Sequence, residues 1–258
     1  MKREFFLFLF AFSVFISQSQ PTTKIVNGDT INVTDAKNLK QGFWDETLNG
    51  TATKGCYINN NKDGVWTTYG VRGSVNSIAN YKNGKKDGIS ISLDDFGNLK
   101  SESFFKNNKL NGKCRIYASG GRLVSEANYT DGILNGSKKT YYETTAKIQE
   151  ESTFVNGVEE GISKWYDTDG KLVAEYSYKN GKFNGVNKTY FSSGNVQTEE
   201  TYVDNIQTGP YKEYLDNSEI KLKISGNFLN DKKDGKWLEY DEKGAIVKTT
   251  FYKNGIAK

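Results

Sequence analysis

Glycine returns along this chain at a nearly constant step. Gly42, Gly64, Gly88, Gly112, Gly136, Gly161, Gly185, Gly209 and Gly235 are separated by 22, 24, 24, 24, 25, 24, 24 and 26 residues. Three other positions keep step with this pivot. Seven residues before it stands an aromatic: Tyr57, Tyr81, Phe105, Tyr129, Phe154, Tyr178, Tyr202 and Phe228. Five residues after it stands a tyrosine, at Tyr69, Tyr117, Tyr141, Tyr166, Tyr190, Tyr214 and Tyr240, with Thr47 and Leu93 in the other two units. Nine residues after it a second glycine recurs as Gly73, Gly97, Gly121, Gly170, Gly194 and Gly244, replaced elsewhere by Thr51, Thr145 and Ser218. A chain that is 14% aromatic does not fill eight slots of eight with rings by chance. A fixed period of this length marks a stack of like supersecondary units, each burying its neighbour's surface.

Each unit reads as two short strands. In the unit around Gly185, residues 188–191 and 196–202 are rich in β-branched and aromatic side chains, and polar turn clusters bound them. Asn-Gly and Asp-Gly, the pairs that supply two left-handed residues to a tight hairpin turn, occur at 83–84, 131–132, 156–157, 180–181 and 254–255. No sustained apolar period of 3.6 residues appears outside the N-terminus, which disfavours helix. The expected fold is all-β: an elongated, single-layer antiparallel meander of eight to nine 24-residue hairpins. Its register is testable. With the hairpin turn centred between eight and nine residues after the pivot, position +3 faces position +14, pairing Arg115 with Glu126, Lys139 with Glu151, Lys164 with Glu175 and Lys188 with Glu199. Opposite charges facing across strands contribute roughly 0.2–1 kcal/mol per pair. The same register sets each recurring aromatic opposite a pivot glycine, where a ring is expected to cover bare backbone.

The two ends differ from the array. Residues 1–20 join Lys2-Arg3 to an apolar run over 5–16 and a small polar stretch, the pattern of an export signal; the run is short for a bilayer span. Residues 21–41 are expected to form an irregular first strand or cap, and 42–258 the repeat array, since an array needs atypical ends to cover its apolar face and strand edge. Lys248 and Lys253 at the far edge discourage strand addition. Only Pro21 and Pro210 interrupt the chain, and no linker divides it. Removal of residues 1–20 takes away two basic residues and one acidic one, so the formal charge falls from +4 to +3. So small a charge without a basic cluster argues against nucleic acid as a partner.

The expected catalytic, cofactor and metal residues are none. The chain has no histidine, which excludes Ser-His-Asp and Cys-His arrangements and histidine metal sites. Two cysteines are too few for an all-thiolate zinc site. In the proposed register Cys56 and Cys114 lie about five strands apart, roughly 24 Å, so no disulfide is expected between them. The glutamates from Glu102 to Glu199 are plentiful, but most have a basic partner and none is unique to one repeat. Ser119-Gly120-Gly121 precedes no helix and so forms no phosphate loop. Tyr117, Tyr141, Tyr166, Tyr190 and Tyr214 share a face with the Lys/Glu pairs. They either stack on one another to stabilise a single-layer sheet or form a contact strip, since tyrosine is enriched at interfaces.

The unit over 178–202, with Tyr178-Lys179-Asn180-Gly181, Asn184-Gly185, Tyr190, Gly194, Glu199 and Tyr202, resembles the MORN-repeat variant of bacterial proteins, including those known as YwqK-type antitoxins. The opening stretch Asp35…Leu39-Lys40-Gln41-Gly42-Phe43-Trp44 is similar to how such proteins begin, and the resemblance runs from 35 to 258. The tryptophan common two residues after the pivot is kept at Trp44, Trp66 and Trp237. The resemblance implies hairpins joined into a long twisted sheet and non-catalytic work. With the export signal, the expectation is a periplasmic, envelope-associated or secreted protein without cofactor that presents an extended surface to another protein. An antitoxin or immunity protein of a toxin pair, and a binder of membrane surface or wall glycan, are the alternatives.

Overall fold

The computed structural model describes residues 23–217 and 219–258. The expected export signal at 1–20 lies outside the described residues. Among the described residues every regular element is a strand. Lys24–Val26 and Asp29–Ile31 form a small separate hairpin, and Val33–Thr34 pairs with the first long strand, Lys40–Leu48. Asn32 completes this start of the array. Its side-chain amide donates to the Asp45 carbonyl at 2.9 Å and accepts from the Asp45 N–H at 2.8 Å, so the amide group takes the place of a further ladder residue.

From Lys40–Leu48 to Ile246–Lys253 each long strand is hydrogen-bonded antiparallel to the strands before and after it in sequence. No register joins the last strands, Ile246–Lys253 and Ile256–Ala257, to the first ones, so the meander is an open sheet and does not close into a barrel. The register matches the sequence expectation. Arg115 faces Glu126, Lys139 faces Glu151, Lys164 faces Glu175 and Lys188 faces Glu199. Gly64, Gly88, Gly112, Gly136, Gly161, Gly185 and Gly209 face Tyr81, Phe105, Tyr129, Phe154, Tyr178, Tyr202 and Phe228, and Gly235 faces Tyr252.

What the pivot glycine is for differs from the expectation. It sits in a β-bulge: Leu110 faces Phe105 and Cys114 faces Ser103, so four residues on one strand advance against two on the other. All nine pivots have φ between 67° and 123°, a region costly for any residue with a Cβ. The facing aromatic covers none of them. A Cβ on Gly88, Gly112, Gly136, Gly185 or Gly209 would meet the residue eight before it, Asn80, Phe104, Asn128, Ser177 or Thr201 on the preceding strand, and on Gly42, Gly64, Gly161 or Gly235 it would meet nothing within 4 Å. Rings do cover glycine at two other places. A Cβ on Gly55 would fall 2.4 Å from the Trp66 ring, and one on Gly226 would fall 2.2 Å from the Trp237 ring.

Two kinds of turn alternate. At one margin two-residue loops such as Asn83-Gly84, Asp131-Gly132 and Asn254-Gly255 have positive φ at both residues, as the motif predicts. These turns are stacked: the second residue donates to the preceding unit, Gly84 to the Lys62 carbonyl at 2.8 Å and Gly132 to that of Leu110 at 2.7 Å. Four loops carry Asn or Asp instead of glycine at the second place, and there the side chain adds a bond. Asn60, Asn108, Asn205 and Asp231 accept from the backbone N–H of Lys40, Lys86, Phe183 and Gln207 at 2.6–2.7 Å. At the other margin the loops are longer and close on the second glycine, whose φ runs from 76° to 94°. In three of them an aspartate, Asp94, Asp167 or Asp241, caps two backbone N–H groups at 2.8–2.9 Å.

Candidate functional site

Because side chains alternate along a strand, this sheet has two faces of different composition. The outer face carries the charge pairs, and they extend further than the hairpin register implies. Each basic residue also faces the glutamate of the preceding unit: Arg115 faces Glu102, Lys139 Glu126, Lys164 Glu151, Lys188 Glu175 and Lys212 Glu199. The result is one alternating row, Glu102–Arg115–Glu126–Lys139–Glu151–Lys164–Glu175–Lys188–Glu199–Lys212. Arg115 lies 2.9 Å from Glu102 and 3.4 Å from Glu126, Lys139 2.6 Å from Glu151, and Lys188 and Lys212 lie 3.0 and 3.5 Å from the two oxygens of Glu199.

The five tyrosines of the expected contact strip lie along this row. The hydroxyls of Tyr166, Tyr190 and Tyr214 donate to Glu151, Glu175 and Glu199 at 3.1, 2.7 and 3.0 Å. For Tyr117 and Tyr141 burial, and then the nearby Glu102 and Glu126 carboxylates, raise the hydroxyl from its ordinary value. Among the described residues no ring pair joins two of these tyrosines, so carboxylate bonding takes the place of stacking. Burial and the Glu175 carboxylate push the Tyr190 hydroxyl up to about 12, and burial with Glu199 does the same for Tyr214. Burial alone would raise the Glu199 carboxyl, but Lys188 and Tyr214 outweigh it and hold the group below the usual carboxylate range. For Glu151 the Lys139 ammonium is the leading cause of the same depression.

The inner face holds the sheltered residues of the array. Its central row is formed by position +2 of each unit and the residue facing it, and includes Trp44, Trp66, Ala79, Ser103, Ala127, Ser152, Ser163, Asn187 and Trp237, all less than a tenth exposed. No second layer covers this face; the curl of a twisted sheet and long flanking side chains shelter it. Unlike the outer row, this one changes character along its length. Tryptophan and tyrosine fill its start, where Tyr57 packs edge-on against Trp44 and Trp66 at 5.7 and 4.8 Å. Hydroxyls and alanine follow, and then Lys138 facing Ser152. The Ser152 hydroxyl is buried without a hydrogen-bond partner. Past Phe183, which meets Tyr176, Tyr178 and Tyr202 at 5.0–5.5 Å, the row ends in a second aromatic cluster around Trp237. Trp237 stacks on Tyr211 at 5.5 Å and meets Phe228 and Tyr252 edge-on. Glu200, Glu213 and Lys233 border the recess beside this cluster, which has a volume of about 310 Å³. Sequence reasoning missed the inner row. The signal was available in the +2 series, which faces small residues or a ring in every unit but one, where Asn187 faces Glu200.

Both cysteines are free. Cys56 faces Phe43 on the outer side, and Cys114 lies on the inner side with its sulfur 3.2 Å from the Ser103 hydroxyl.

Each structural unit can now be set against known families. Residues 86–107, 159–180, 183–204 and 233–254 match the MORN repeat variant. Four of the hairpins are MORN-like. Each match begins two residues before a pivot glycine and ends on the first residue of an Asn or Asp turn, so the family unit and the hairpin unit share one phase. No curated protein matches the chain.

Proposed function

We propose that the chain is an exported, non-enzymatic binding protein whose inner face presents an extended surface to another protein. One observation carries this reading: from Glu102 to Lys212 the outer face repeats the same arrangement of glutamate, basic residue and tyrosine, whereas the inner row differs from unit to unit. In a stacked array the invariant positions hold neighbours together, and the varying positions are free to specify a partner. The hydroxyls of Tyr166, Tyr190 and Tyr214 are taken up by the ladder, so the strip serves as backing. The C-terminal cluster is the contact centre of this reading. Tyr211, Phe228, Trp237 and Tyr252 group large rings beside Glu213 and Lys233, the aromatic anchor with a charged rim that interface hot spots favour.

Position-specific photo-cross-linking in the native envelope tests it. A cross-linker at Tyr211 is expected to trap one discrete partner that a cross-linker at Lys212, on the opposite face, does not trap. Equal trapping from both faces, or none, would end the reading. Export is tested apart from it, by whether residues 1–20 carry a reporter out of the cytoplasm.

A further inference from the structure

The N-terminal third of the inner face holds a recess of different chemistry, with a volume of about 310 Å³. Its floor is a block of hydroxyls. Thr68 faces Ser77, Ser77 faces Ser92 and Ser92 faces Ser101, four abreast on four successive strands. Ser90 and Ser103, facing each other, form a second row beside them. Elsewhere the same two rows are broken by Ile116, Lys138, Glu150 and Trp165. Ser103 is in contact with Cys114; among the described residues the other five hydroxyls have no hydrogen-bond partner in the protein.

Two lysines wall the recess. The Lys62 ammonium is held 4.0 Å from the Trp66 ring centre and the Lys86 ammonium 5.1 Å from that of Phe105. Lys40, in the equivalent place one unit earlier, also sits over a tryptophan but is ion-paired to Glu46. Among the described residues neither Lys62 nor Lys86 has a carboxylate within 4 Å. Burial lowers the Lys62 ammonium from its ordinary value. Lys86 is a positioned cation without an ion pair, and Lys62 has only the longer-range attraction of Glu46.

We propose that this recess binds an acidic saccharide, a hydroxyl-rich ligand bearing carboxylates. A serine or threonine hydroxyl both donates and accepts, as a sugar hydroxyl does, so the two rows can meet a polyol at several points. The ammonium groups supply the charge-assisted bonds a carboxylate requires. The ring faces already hold the lysines and serve as their supports. An acidic peptide would engage the lysines and leave most of the hydroxyls to water. A neutral sugar would leave two cations unmatched. The recess shares the inner face with the protein-contact reading, but the contact centre of that reading lies at the opposite end of the array, so the two are tested separately.

Calorimetric titration of the exported protein with oligogalacturonate tests it. Binding is expected that weakens as salt is raised. Lys86→Met, and separately the pair Ser92→Ala with Ser101→Ala, should each weaken it at least tenfold, while Lys86→Arg restores most of it and Lys212→Met on the outer face leaves it unchanged. Circular dichroism of each variant checks that the sheet is intact, and the small serine changes keep the test valid if a lysine variant fails to fold. Equal affinity for an uncharged malto-oligosaccharide, equal affinity for polyglutamate, or no binding at millimolar ligand would each overturn the proposal.

Discussion

Gly161 and Gly209 hold the same place in their units, yet a methyl group added at each would meet different surroundings. Both have positive φ, 84° and 123°, so either alanine variant carries a backbone cost of about 1–2 kcal/mol. At Gly161 the new Cβ would find open space, whereas at Gly209 it would come within 3.0 Å of Thr201. Gly209→Ala should therefore lower stability measurably more than Gly161→Ala in urea unfolding. Equal losses would show that φ alone sets the requirement. The glycine period was legible in the sequence because it is invariant; its cause was not. A glycine opposite an aromatic invites a ring-cover explanation, and only the backbone shows that a bulge demands the left-handed conformation. The turns at Asn107-Asn108 and Asp204-Asn205 were illegible for a related reason. They lack the glycine of the hairpin motif, and the side-chain bonds that replace it, from Asn108 to Lys86 and from Asn205 to Phe183, cross to the preceding unit.

Across strands, the outer row binds neighbouring hairpins through charge. Its members are partly exposed, so each pair contributes no more than about 1 kcal/mol, and the row acts by continuity. The sign of its pH dependence follows from the shifts. Glu126, Glu151 and Glu199 titrate below their ordinary value of 4.5, so their contribution is present above that pH and is lost as pH falls through the depressed values. Tyr190 and Tyr214 are raised from 10.0 to about 12, so theirs is present below pH 10 and is lost between 10 and about 12. Urea midpoints measured against pH should decline on both sides of a broad plateau, and Glu199→Gln should flatten the acid limb. An unchanged acid limb would mean that this carboxylate is not coupled to folding. Half of the row was legible, because the pairing inside a hairpin follows from counting out from its turn. The other half lies across the bulge, where two extra residues defeat the count, so the partners Glu102 for Arg115 and Glu175 for Lys188 appear only in the structure. The inner face was hidden for a different reason. Shelter in a single-layer sheet depends on the direction of curl, and no local pattern around Ser163 or Asn187 states it.

At the scale of the whole molecule, contacts run between adjacent strands and the array has no closed core, so stability is expected to be close to a sum over units and their interfaces. The sequence offers a clean test of this. Asn111-Gly112 and Asn135-Gly136 are equivalent, so deleting 112–135 joins Asn111 to Gly136 and removes one complete period. Strand direction, the two faces and the stacked turns are all preserved, and the outer row still alternates, with Lys139 now following Glu102. The variant should keep its β circular dichroism and resist proteolysis, at a stability lowered by about one unit's share. Deleting 112–123 instead removes half a period. That leaves a strand running the wrong way for its neighbour, puts inner residues on the outer face and separates the row from its tyrosines. This shorter deletion should unfold the array downstream of residue 111, seen as rapid cleavage there under limited proteolysis. If the 12-residue deletion were tolerated as well as the 24-residue one, the hairpin pair would not be the unit of this fold. The match between family phase and hydrogen-bonded phase would then be a coincidence of spacing.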